Sequence, residues 1–111
     1  MIPFEITEWE KLPATEYKGE TGGSFWRTKQ YDGLRVRLVE YSARYKADHW
    51  CSKGHIVFCL EGEFVTHLKK GEHHLLKKGM SYHTSDDPVN PHLSTYDNGC
   101  KIFIVDGDFL K

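Results

Sequence analysis

The stretch Ala47-Asp48-His49-Trp50-Cys51-Ser52-Lys53-Gly54-His55-Ile56-Val57-Phe58-Cys59-Leu60-Glu61-Gly62-Glu63-Phe64-Val65-Thr66-His67-Leu68 decides the fold. Its apolar run 56–60 is β-branched and aromatic, and Lys53-Gly54 and Glu61-Gly62 punctuate it as turns do. Segment 55–61 therefore reads as a strand, and Glu61-Gly62-Glu63 as a tight hairpin into a second strand over 63–69. Lys69-Lys70-Gly71-Glu72 marks the next reversal, into 72–77. None of these segments holds a helical period, so the local reading is a meander of antiparallel strands.

Outward from this centre the same pattern continues. Asp32-Gly33, Lys78-Gly79 and Asn98-Gly99 separate further short runs, among them 34–41 and 100–106. In 34–41 the residues Leu34, Val36 and Leu38 alternate with Arg35 and Arg37, which predicts an apolar face on the core and arginines in water, the alternative being arginines that bind a carboxylate inside the barrel. Eight or more strands in so short a chain need their edges closed. The expected fold class is all-β, a small antiparallel jelly-roll barrel over residues 25–111 whose mouth suits a small ligand. Residues 1–24 show little periodicity and read as an N-terminal arm. Phe4, Ile6 and Trp9 have no evident core position within one small barrel, which predicts a homodimer that buries them.

Composition narrows the classes of function. The 111 residues are enough for one hydrophobic core, and 39% of them are hydrophobic, so one folded domain is expected. A net charge of -1 without a basic cluster argues against nucleic acid as a partner. No basic, apolar leader opens the sequence and no run approaches a membrane span, so neither export nor membrane insertion is expected. Three cysteines without Cys-x-x-Cys spacing, Cys51, Cys59 and Cys100, suit reduced thiols and a cytoplasmic setting. Cys59 and Cys100 lie in apolar runs and read as packing residues.

The chemistry concentrates around the opening stretch. On an extended segment His49 and Cys51 share a face, the Lys53-Gly54 turn lets His55 approach them, and His92 arrives from a distant strand. Imidazole and thiolate in such a set are ligands for a divalent metal. The same four side chains also serve a metal-free protein, as a packed polar network beside a pocket. Tyr41 and Tyr82 are candidate walls of that pocket. His67 and His83 have no partner apparent in the sequence, and His73-His74 is expected in solvent. Asp48 adjoins His49 but would face away from it on a regular strand.

These residues resemble the cupin superfamily. Its first motif places His-x-His shortly before a Glu and a hairpin Gly; counting back from Gly62 sets His55 at the Glu, Cys51 at the second His and His49 at the first. Gly79-Met80-Ser81-Tyr82 followed by Pro88-Val89-Asn90-Pro91-His92 is similar to the second motif, with a longer loop. Ala47-Asp48-His49-Trp50-Cys51 with Lys53-Gly54-His55 looks like the DHCW-motif cupins, as do Trp26-Arg27, Arg35–Ser42 and Ile102–Asp106. The resemblance implies an RmlC-like jelly roll and a metal site for a small polar metabolite, with or without enzymatic activity. Cys51 and His55 replace the usual His and Glu, which shifts the expected metal from iron, nickel or manganese toward zinc.

Overall fold

The computed structural model describes residues 1–111. Nine strands form: β1 (Thr15–Lys18), β2 (Gly23–Tyr31), β3 (Leu34–Tyr41), β4 (Tyr45–Lys46), β5 (His55–Leu68), β6 (His73–Lys77), β7 (Ser81–Thr84), β8 (His92–Tyr96) and β9 (Cys100–Gly107). The only helical pieces are single 3-10 turns at Trp9–Lys11 and Asp108–Leu110. Every pairing is antiparallel, and no helix is long and apolar enough to cross a membrane. One sheet runs β1-β2-β3-β9-β5-β7 and the other β6-β5-β8-β4, so β5 belongs to both. The expected antiparallel jelly roll is the fold, curled around one interior.

The shared strand corrects the sequence reading at Glu61-Gly62-Glu63. That step is not a hairpin: β5 runs unbroken through it for 14 residues. Its first half pairs with β9, its second with β6 and β8, and the register slips between Cys59 and Glu61. Val57 and Cys59 are buried before the slip, Phe64 and Thr66 after it. The buried set thus passes from odd to even positions, as one extra residue in a strand requires. Gly62 makes the passage with φ of 77°, and a Cβ there would lie 2.7 Å from the Gly99 carbonyl oxygen. The left-handed backbone bends the strand from one sheet into the next instead of reversing it. The reversal predicted at Lys69-Lys70-Gly71-Glu72 does form, bringing His67 opposite His73.

The core gathers Val39, Val57, Cys59, Phe64, Leu76, Tyr96, Cys100, Ile102 and Ile104. Cys59 and Cys100 are free thiols within it, their sulfurs 4.0 Å apart. β9 alternates strictly, with Cys100, Ile102, Ile104 and Asp106 inward. Its last inward side chain is a carboxylate. This decides a second correction, on β3. Arg37 is 3% exposed and faces inward with Val39, while Leu38 is buried on the opposite face. The register sets Arg35 against Asp106, and both arginines are held inside by that acid rather than turned to water.

Of the segment read as an arm, residues 15–18 form the edge strand β1, paired with Gly23–Trp26. Upstream, the Trp9 ring meets the outward Phe103 edge-on at 5.8 Å, and Arg27 donates from Nε to the Leu12 carbonyl at 3.1 Å. Met1, Phe4 and Ile6 remain exposed.

Candidate metal centre and its cavity

Three of the four side chains singled out by spacing converge. Cys51 and His92 exchange two backbone hydrogen bonds, Cys51 N–H to His92 O at 2.7 Å and His92 N–H to Cys51 O at 2.9 Å. This isolated bridge puts their side chains on one side. His55 opens β5 next to them: Cys51 Sγ lies 3.6 Å from His55 Nε2, and the His55 and His92 rings meet edge to face with centroids 5.2 Å apart. The ligand atoms of Cys51, His55 and His92 all fall within 4.8 Å of one another. Small movements bring such a set to the bond lengths of about 2.0–2.3 Å that imidazole and thiolate make to zinc.

His49 is not brought into this group. Residues 47–50 form a bend rather than a strand, so the alternation that pairs His49 with Cys51 does not operate there. Its ring is largely exposed and its Nδ1 sits 2.6 Å from Asp48 Oδ1, a contact that strand geometry would forbid. His49 stays at the rim of the cavity.

Behind the ligands stands Asp106, which sequence spacing did not reveal. Its Oδ2 lies 3.0 Å from His55 Nδ1, an acceptor for Nδ1–H that leaves Nε2 facing Cys51. That fixes the His55 ring with Nε2 toward Cys51 and His92. Burial opposes ionisation of Asp106, but His55, Arg35 and Arg37 outweigh it and hold the carboxyl well below the usual range. Burial likewise pushes the Cys51 thiol up, and its bonds with His55 and His92 overcome this and bring it down to about 5. Burial disfavours the His55 cation, yet Asp106 and Cys51 together raise its affinity for a proton. The thiol is thus prepared to bind as thiolate, the form a metal needs.

The three side chains open on a cavity of about 290 Å³ whose walls include Trp26, Arg37, Tyr41, Tyr45, Tyr82 and Tyr96. Tyr41 and Tyr82 both line this cavity. Tyr41 stacks on Tyr96 with centroids 3.8 Å apart, and burial raises its hydroxyl to about 12, so it enters the cavity as a neutral donor. Trp26 carries the Arg37 guanidinium 4.4 Å from its ring centroid. The signal for Arg37, Tyr45 and Asp106 was available only jointly: each is one alternating position on a strand whose inward face tertiary pairing selects. Elsewhere His67 finds the partner its sequence context did not show, with its Nδ1 2.6 Å from His73 Nδ1 on the exposed face.

No family profile matches the chain, and no curated relative matches it. Solved structures do. The polyketide cyclase RemF from Streptomyces resistomycificus is 15% identical, with a TM-score of 0.76 over 95% of this chain and 80% of that one. Ectoine synthase from P. lautus is 16% identical, with a TM-score of 0.74 over 94% of this chain and 78% of that one. An RmlC-like cupin from Shewanella frigidimarina is 16% identical, with a TM-score of 0.71 over 95% of this chain and 91% of that one. The fold is that of the cupin superfamily. At these identities the likeness concerns architecture, and two of the three neighbours are named as enzymes.

Proposed function

We propose that this chain is a metal-binding cupin that holds a small polar molecule in the cavity beside Cys51, His55 and His92, with catalysis at the metal as its activity. The observation that carries this is the convergence of three ligand atoms within 4.8 Å on the wall of an interior cavity. Two imidazoles and one thiolate suit zinc better than iron, nickel or manganese, and three protein ligands leave a coordination position free for substrate or water. When bound, zinc supplies Lewis-acid polarisation of an oxygen ligand. The protein's part is to fix His55 through Asp106, to keep Cys51 as thiolate and to shape a cavity with Tyr41 and Tyr82. Metal analysis of tag-free protein tests this: about one equivalent of zinc per chain is expected, and metal-free protein after purification without chelator overturns it.

A second, metal-free reading has one observation in its favour. Asp106, His55 and Cys51 form a chain in the order used by nucleophilic cysteine enzymes, carboxylate to Nδ1 and Nε2 toward sulfur. Alkylation by iodoacetamide separates the two, since Cys59 and Cys100 are buried and Cys51 is the accessible thiol. Chelation should speed alkylation if a metal covers Cys51 and leave it unchanged if the thiolate acts alone.

We also propose that the chain works as a homodimer in the cytoplasm. Ile56 and Phe58 turn outward from the larger sheet, 41% and 42% exposed, and Phe4 and Ile6 are exposed beside no core of their own. Burial of such side chains against a second copy is expected to give a dimer at micromolar concentration in sedimentation equilibrium. A monomer throughout that range would remove the proposal.

A further inference from the structure

The cavity wall carries a buried guanidinium whose donors the protein does not fill. Arg35 takes Asp106 bidentately, Nε to Oδ1 and Nη2 to Oδ2, both at 3.0 Å. Arg37 also leans on that single carboxylate, but with Nη2 alone, 2.6 Å from Oδ2. The Arg37 residue is 3% exposed, its Nε is buried without any partner, and its remaining nitrogen, Nη1, makes no hydrogen bond. Arg35 thus takes the paired geometry of the carboxylate, and Arg37 is left with donors that no protein group fills. Lys53 also lines the cavity, no carboxylate side chain does, and the Cys51 thiolate faces His55 and His92. A buried guanidinium with unused donors is costly unless an anion completes it.

The rest of the wall sets the shape of that anion. Trp26, Tyr41, Tyr82, Val57, Ile102 and Ile104 offer apolar and aromatic surface, and about 290 Å³ admits only a small molecule. The two free donors of one buried guanidinium match one carboxylate. A phosphoryl dianion would call for a second buried cation, whereas Lys53 is largely exposed at the rim. We infer that the cavity binds a small organic monocarboxylate, with its carboxylate on Arg37 and its apolar body against the aromatic wall. This rests on reading the cavity as the chamber of the metal centre, and it adds the class of molecule that enters.

Calorimetric titration of the tag-free protein with benzoate, neutral benzamide and phenyl phosphate tests the inference, with zinc content measured on the same samples before and after chelation. Benzoate should bind at least about ten-fold more tightly than benzamide, and phenyl phosphate no more tightly than benzoate. Arg37→Gln should abolish the preference for benzoate over benzamide, and Arg37→Lys should keep part of it. Should Arg37→Gln fail to fold, the wild-type comparison and Arg37→Lys still decide. Equal binding of benzoate and benzamide, no binding of either, or tighter binding of phenyl phosphate overturns the inference. So does a preference that survives Arg37→Gln but vanishes with zinc, because the carboxylate would then sit on the metal. Absence of zinc together with an intact, Arg37-dependent preference overturns the metal reading and leaves the carboxylate site standing.

Discussion

Asp106→Ala is expected to cost about 3–5 kcal/mol of folding free energy, the usual result of removing one partner from a buried ion pair. Arg37 would lose its only hydrogen-bond acceptor while remaining 3% exposed, and Arg35 and His55 would lose theirs at the same moment. The Trp26 ring would stay beneath the guanidinium, but cation–π attraction of about 2 kcal/mol does not replace a carboxylate. Small domains hold about 5–15 kcal/mol in all, so the variant should sit close to unfolding. Urea denaturation of both proteins measures the difference. A cost below about 1 kcal/mol would mean that Arg37 reaches another acceptor. Arg37→Met added to Asp106→Ala should recover part of the loss, since it removes the charge left stranded.

At Cys51 the expected effect falls on metal affinity rather than on folding. Loss of an outer partner of a ligand typically weakens metal binding about 10–100-fold, so loss of the thiolate itself should weaken it by at least about 100-fold in Cys51→Ala. Cys51→His restores a third donor and should retain more affinity than alanine. The converse ranking belongs to a cysteine that merely packs: alanine would then cost about 1–2 kcal/mol with metal content unchanged, and the larger imidazole would do more damage. Competition with a chromophoric zinc chelator, alongside denaturation of both variants, separates the cases. Cys51 lines the cavity and is half-buried, so an imidazole has open volume to enter.

What the sequence could and could not show follows from the range of the interactions involved. β3 was readable to the residue, 34–41, because alternation and the Asp32-Gly33 turn are local. The side of β3 that faces inward was not, because both of its faces carry apolar side chains. The choice falls to Arg35 and Arg37, whose acid lies 71 and 69 positions away. Gly62 misled for a related reason: a left-handed glycine serves a turn and a bulge equally, and only the partners on either side tell them apart. Cys51, His55 and His92 were legible as a group because a bridge and a strand start place them, whereas His49 depended on a strand that residues 47–50 do not make. The likeness to the DHCW-motif group is carried by residues alone, while the cupin architecture is carried by the fold as well.

The position of β9 has a consequence for how the chain acquires its structure during synthesis. This last strand lies between β3 and β5, and it supplies Cys100, Ile102 and Ile104 to the core as well as Asp106 to the site. Until it emerges from the ribosome, β3 and the first half of β5 have no strand between them, Arg35 and Arg37 have no acid, and His55 has no acceptor for Nδ1. Earlier hairpins such as β2–β3 and β5–β6 can pair as they appear. The interior cannot close around them until closure spans nearly the whole chain, a topology that belongs among slow folders. Emergence of β9, core formation and orientation of His55 are therefore one cooperative event, and a nascent chain stalled before residue 100 holds neither a sealed interior nor an oriented His55.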